Sequence, residues 1–246
     1  MRLLRAVAPA ALLAGLFFFT VFRFDDIAAL IEPLAPGKRL FVERESLPVL
    51  ACQHAALAFG TSLAAFLVAF PLGLFTAVAA SGGLTGAIDK FAALGETFPT
   101  VALMALLVPA LGYGTPPVAL ALGLYGILPV VRNTVAGIRS VSADSIDAAR
   151  GLGMTDTQIL LKVRLPLAAP LIIQGLRISL VVNIAAATVG AAVGAGGLGV
   201  PIVSGIRSFD TLLILKGSLP VALMALASDS ALKALAAIAG SPVRRS

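Results

Sequence analysis

Apolar residues fall in long blocks rather than in alternation, at 6–22, 47–80, 91–111, 117–131, 167–193 and 212–239, and charges are sparse within them. About 20 such residues at 1.5 Å each cross a bilayer. The pattern therefore predicts an all-α integral membrane protein with about six transmembrane helices. The 117–131 block is short unless its helix runs on through Asn133 to 138. The first block follows Arg2 and Arg5 as a signal peptide's would. No small-residue cleavage site comes after it, and Phe22, Arg23 and Phe24 succeed it directly, so it reads as a retained span.

Composition agrees: 59% of the 246 residues are apolar and 12% charged, far from the soluble balance. A net charge of +6 would draw attention to nucleic acid in a soluble protein. Here it follows from basic residues gathering on the cytoplasmic side of the bilayer, and no nucleic-acid partner is expected. With the N-terminus inside, six spans return the C-terminus, ending in Arg244 and Arg245, to the cytoplasm. That threading also places Lys90, Arg132, Arg139, Arg150, Lys162 and Arg164 inside, and Arg23, Lys38, Arg39, Arg44 and Arg207 outside. The threading implies a membrane with one face toward the cytoplasm.

One segment breaks the pattern, SIDAARGLGMTDTQILLKVRLPLAAP at 145–170, which lies on the cytoplasmic face between the fourth and fifth spans. Asp144 is placed to cap a short helix, with Asp147 near the positive end of its dipole. Gly151 and Gly153 are read as stopping it. Thr155 and Gln158 form a T-x-x-Q capping box that starts a second helix, and Leu165 and Pro166 are read as ending that one. The expectation is a helix, a glycine elbow and a helix over about 144–158.

The order acidic-Ala-Ala, a glycine, then a hydrophobic run closing on Leu-Pro, written here DAARGLG and VRLP, resembles the EAA signature of type I ABC importer permeases. The resemblance extends over about 47–235. The runs beginning ETFPT at 96–138 and NIAAATVG at 183–206 look like permeases of osmoprotectant importers for glycine betaine, choline or carnitine, although permeases for methionine and sulfonates share parts of them. It implies that Asp147, Ala148, Ala149, Arg150, Gly151, Leu152 and Gly153 form a coupling helix that docks on a separate ATPase subunit. Asp147 stands where the family most often has Glu. The chain then divides into an N-terminal helix and loop at 1–46, a permease domain at 47–240 and a short tail at 241–246. The implied partners are two ATPase subunits, a solute-binding protein and a second copy of this chain.

Other motifs bear on function by what they lack. Gly194 to Gly199 fits G-x-G-x-x-G letter for letter, but it sits at the outer end of a membrane span rather than in a βαβ unit. It is read as a flexible periplasmic turn helping to form an outer gate, with Gly196, Gly197 and Gly199 as gate residues. No G-x-x-x-x-G-K-[ST] is present. The expectation is that this chain is no enzyme and holds no cofactor or metal, with ATP and Mg bound by the partner. One histidine, His54, and one cysteine, Cys52, supply neither a metal-ligand set nor a disulfide, and both read as helix-packing residues. Thr97, Pro99, Thr100, Asn183 and Thr188 are polar or kinking positions within spans, suited to a hydrated path or to interhelical hydrogen bonds. Arg177 and Asp229 are charges within spans, either at the path or paired structurally. Coupling charges there would instead fit a secondary transporter working without ATP. The absence of Trp, with only Tyr113 and Tyr125, leaves little for an aromatic cage around a quaternary ammonium group, so affinity is expected to reside in the binding protein.

Overall fold

The computed structural model describes residues 2–31, 45–79, 86 and 98–240. Every element of regular structure among them is helical. α1 (Arg2–Phe22) bends by 82° at Arg23 into α2 (Phe24–Ile31). α3 (Leu47–Val78), α5 (Thr115–Arg139) and α10 (Thr211–Ala239) are long enough to cross a bilayer. α4 (Thr100–Leu111) is a shorter apolar helix. The polar segment holds α6 (Ala143–Gly151) and α7 (Asp156–Ile159). A π-helical turn at Leu160–Arg164 then leads into α8 (Leu165–Gly190), and α9 (Gly199–Ser208) lies between α8 and α10.

The short fourth block does run on, since α5 continues through Asn133 and Ile138. The third span is described only from Phe98, and Glu96, Thr97 and Lys90 lie outside the described residues. Pro166 corrects the expected helix end. α7, the π turn, α8 and the 3-10 turn that follows it form one apolar run of 38 residues, Asp156–Val193. The π turn explains why proline is tolerated there: the Leu165 N–H reaches back five residues to the Leu160 carbonyl, so the widened turn accommodates a residue with no donor of its own.

α8 runs antiparallel to α5 and to α10. Gly137 near the end of α5 meets Ala168 near the start of α8, and Gly190 at the end of α8 meets Val118 near the start of α5. Gly240, just past α10, lies against Pro170, and Gly217 in its second turn lies against the carbonyl of Leu198. Lys216 sits 5.7 Å over the Phe24 ring, joining the start of α2, just past the end of α1, to the start of α10. The starts of α1 and α8 and the ends of α3, α5 and α10 therefore share one end of the bundle, the end that carries α6 and α7.

The centre is a trio of α3, α5 and α8. Ala69, Val130 and Val131 pack α3 on α5; Leu50, Ala58, Leu180, Ile184 and Met224 tie α3 and α8 to α10. Lipid is as apolar as leucine, so close backbone approach and internal hydrogen bonds must hold such helices together. Both are found around α8, the close approach toward α5 and the hydrogen bonds toward α3. A Cβ on Gly175 would lie 2.8 Å from the Pro129 carbonyl oxygen, and one on Gly126 would lie 2.7 Å from Ser179 Oγ. Beside them the fully buried Asn183 donates to Ser62 Oγ at 3.0 Å and to Thr61 Oγ1 at 3.3 Å. Outward-facing Phe18, Phe22, Leu63, Leu67 and Phe75 are exposed, as a bilayer-facing surface requires.

The two charges within spans find each other. Arg177 of α8 pairs with Asp229 of α10 and donates to Gln174 Oε1 at 2.5 Å, while Lys233 Nζ lies 2.8 Å from the second oxygen of Asp229. This is the paired, structural arrangement. His54 is a packing residue as expected: buried, it donates through Nε2 to the Ile184 carbonyl at 3.0 Å, a partner that fixes the tautomer. Cys52 is exposed instead.

Gly126→Ala is expected to destabilise the detergent-solubilised chain by about 1–3 kcal/mol through overpacking. Gly15→Ala, whose Cβ meets nothing within 4 Å, should leave the unfolding temperature unchanged; equal shifts for both would refute the close-approach account.

Candidate functional site

The polar segment folds into two capped helices at an elbow. Ser142, rather than Asp144, is the N-cap of α6, and its Oγ accepts from the Ser145 N–H at 3.4 Å. Asp144 lies in the first turn, where its charge favours the dipole. Gly153 alone makes the stop: its φ is +77°, its N–H donates to the Arg150 carbonyl, and the next N–H, of Met154, reaches Ala149. This pair of bonds around a left-handed glycine is the Schellman arrangement. Gly151 is still helical and open around its Cα. The capping box of α7 forms as its sequence predicts. Thr155 Oγ1 accepts from the Gln158 N–H at 3.3 Å, and Gln158 Oε1 accepts from the Thr155 N–H at 2.9 Å.

Arg150 spans the elbow, 3.8 Å from Asp147 on α6 and 3.5 Å from Asp156 on α7. All three are exposed, so the pairs contribute little energy. Asp147, Ala148, Arg150, Gly151, Leu152 and Gly153 face away from the bundle, and Leu152 is 83% exposed. Ala149 differs from the other residues of the expected docking helix: it is buried at 5% exposure and packs the helix against the protein.

At the other end of α8, the chain turns through a 3-10 segment, Ala191–Val193, into the glycine-rich loop. Gly194, Gly196 and Gly197 have φ of +86°, +76° and +76°. This loop is packed rather than free. Gly197 donates its N–H to Gln53 Oε1 at 3.1 Å, and a Cβ on it would lie 3.1 Å from His54 Nδ1. Gly199 begins α9 so close to α8 that a Cβ would lie 2.0 Å from the Thr188 carbonyl oxygen. Gly114, before α5, donates to the Val193 carbonyl at 2.8 Å.

Between this loop, α3 and α5 lies an open cleft of about 780 Å³, lined among others by Glu45, Gln53, Thr61, Thr115, Gly194 and Gly196. Gly196 thus reaches the cleft, while Gly197 and Gly199 support it from behind. Of the remaining candidates among the described residues, Pro99, Thr100, Asn183 and Thr188 do not line it. Asn183 is fully buried, and Thr188 Oγ1 is buried inside the bundle. Pro99 kinks no helix, because it is the N-cap of α4 and Thr100 is the first helical residue. The Tyr125 hydroxyl donates to the Phe98 carbonyl, pinning the start of α4 to α5. Glu45, Gln53, Thr61 and Thr115 are the residues that sequence reasoning missed. Their signal is faint: Gln53 is a polar residue in a largely apolar run, in a helix that holds no Asp, Glu, Lys or Arg.

An apolar helix bundle with a presented polar elbow at one end and a loop-walled cleft at the other is the build of a membrane transport subunit. Residues 69–243 match the family described as binding-protein-dependent transport system inner membrane component, and the chain belongs to that family. It is 39% identical over 173 residues to the carnitine transport permease protein OpuCD of Listeria monocytogenes, covering 70% of this chain and 76% of that one. It is 35% identical over 177 residues to the choline transport system permease protein OpuBB of Bacillus subtilis, covering 72% and 81%. The osmoprotectant import permease protein OsmY of Salmonella typhimurium is 37% identical over 180 residues, with 73% and 76% covered. A chain of the MetNI methionine ABC transporter in an inward-facing conformation superposes with a TM-score of 0.68 at 19% identity, covering 76% of this chain and 93% of that one. The fold is thus that of a type I ABC importer permease, and the chain is a multi-pass inner-membrane protein.

Thr155→Ala removes the capping oxygen and is expected to cost about 1 kcal/mol locally. Amide exchange at 156–159 should accelerate several-fold with the spans unchanged; unaltered exchange would show that the cap does not hold α7.

Proposed function

We propose that this chain is the translocation subunit of an ATP-driven importer for quaternary ammonium osmoprotectants such as glycine betaine, choline or carnitine. The observation that carries the coupling role is the elbow itself, where six of the seven residues from Asp147 to Gly153 face outward. In this reading α6 docks on a separate ATPase subunit that binds ATP and Mg. Leu152 is the apolar anchor, and Ala148 leaves room for close approach. Ala149 sets the helix on the bundle rather than touching the partner.

Two copies of the chain supply the two coupling helices that a pair of ATPase subunits requires. The elbow end and both chain termini are cytoplasmic. The glycine loop and cleft face the side from which a loaded solute-binding protein delivers its cargo. Because one helical run of 38 residues, roughly 55 Å long, joins α7 to the loop, displacement of the elbow as the ATPases close tilts α8 as a rod. The cleft then opens to alternate sides by rigid-body rocking. The relatives' carnitine, choline and osmoprotectant cargoes support the substrate class. Use of Arg177 and Asp229 as ion-coupling charges, the basis of a secondary-transport reading, is disfavoured by their engagement with each other, Gln174 and Lys233.

Leu152→Asp and Ala148→Glu are expected to lower ATP-driven uptake and ATPase co-purification by at least about thirtyfold, equivalent to loss of about 2 kcal/mol at an interface hot spot. The amount of chain in the membrane should not change. Wild-type uptake and co-purification in both variants would refute the docking role. Uptake of methionine, but not of choline, glycine betaine or carnitine, by the reconstituted transporter would refute the substrate class.

A further inference from the structure

The cleft carries a chemical asymmetry. Of the side chains that line it among the described residues, Glu45 alone is charged, and it stands immediately before α3 at the loop end of the bundle. Its Oε2 accepts from Gln53 Nε2 at 2.7 Å, while Gln53 Oε1 accepts from the Gly197 N–H at 3.1 Å. These partners fix the amide's orientation, since a flipped Gln53 would set its NH2 against an N–H and its carbonyl against a carboxylate. A Cβ on Gly196 would lie 2.7 Å from Gln53 Oε1, so the loop rests directly on the amide. One side chain therefore bridges an exposed carboxylate in the cleft wall and the backbone of the loop that closes the same wall.

A quaternary ammonium head has no N–H and offers nothing to the Gln53 carbonyl. It carries a full positive charge, and against a carboxylate in a partly dehydrated cleft a full charge outcompetes a neutral amide dipole. We infer that Glu45 is the cation-recognition point of the passage and that Gln53 is the latch it controls. This rests on the quaternary ammonium reading above. Arrival of the cationic head at Glu45 releases Gln53 Nε2, the amide loses its fixed orientation, and the 194–199 loop loses its tether to α3. The loop then moves for cationic cargo and stays latched against neutral solutes. Glu45 contacts the cargo; Gln53 is a positioning residue acting through the loop.

The test uses the whole transporter, permease with its ATPase subunit, in liposomes. ATP hydrolysis is measured without binding protein, in millimolar choline chloride against equal sodium chloride. Choline is expected to raise the wild-type rate about fivefold, as release of a latch shifts the population toward the closing-competent state. Glu45→Gln keeps an acceptor for Gln53 but has no charge, and should abolish the response; Glu45→Asp should retain part of it. Gln53→Leu should give a raised rate without choline. No choline response in the wild type, or an equal response in Glu45→Gln, overturns the inference. If Gln53→Leu does not assemble with the ATPase, the two Glu45 variants decide the matter alone. Binding-protein-dependent choline uptake by the wild type separates the two readings. Its absence fails the substrate assignment, whereas uptake with no choline-stimulated hydrolysis fails the latch alone.

Discussion

The contact between α5 and α8 is the constraint on which the rest of the structure depends. Inside a bilayer there is no hydrophobic gain in bringing two helices together, so they must meet closely enough for dispersion and buried hydrogen bonds to hold them. Gly126 and Gly175 remove the side chains that would keep the axes apart, and Asn183 spends both donors on Thr61 and Ser62 of α3. With this trio locked, α8 has a fixed bed. Its two ends then carry the features from which function is argued, the elbow at one and the glycine loop at the other.

The loop end shows how irregular backbone is tolerated in such a setting. Unpaired N–H and C=O groups near lipid are costly, so non-helical backbone persists only where protein groups satisfy it or water reaches it. Gly197 and Gly114 have partners in Gln53 and Val193, and Gly194 and Gly196 border the open cleft. At the elbow end the solution is different. Water is available, so both ends of α6 and the start of α7 are closed by local caps made within the segment itself. That independence suits a piece that must keep its shape while meeting another protein.

Arg177 and Asp229 illustrate the same economy. Either charge alone would be expensive in a span, and each is far from the other in sequence. Across the α8–α10 contact they form one network with Gln174 and Lys233. This ties the last helix to the rod without placing charge in the cleft.

What the sequence determined by itself follows from short-range physics. Block hydrophobicity dictates spans because lipid demands it over any 20-residue stretch, and Thr155 with Gln158 makes its capping box from four consecutive residues. Local rules also misled where geometry was one step longer. Ser142 took the cap from Asp144, Gly153 made the stop without Gly151, Ala149 turned inward, and a π turn carried α8 past Pro166. Only the tertiary structure decided which polar residues face the cleft. Asn183 and Thr188 read as well as Gln53 and Thr61 along the chain, but the way the helices are rotated puts Gln53 and Thr61 on the cleft wall and turns the Asn183 side chain and Thr188 Oγ1 into the bundle. Contacts such as Gln53 to Gly197 join residues more than a hundred positions apart, and no local pattern encodes a meeting that depends on how whole helices are rotated against one another.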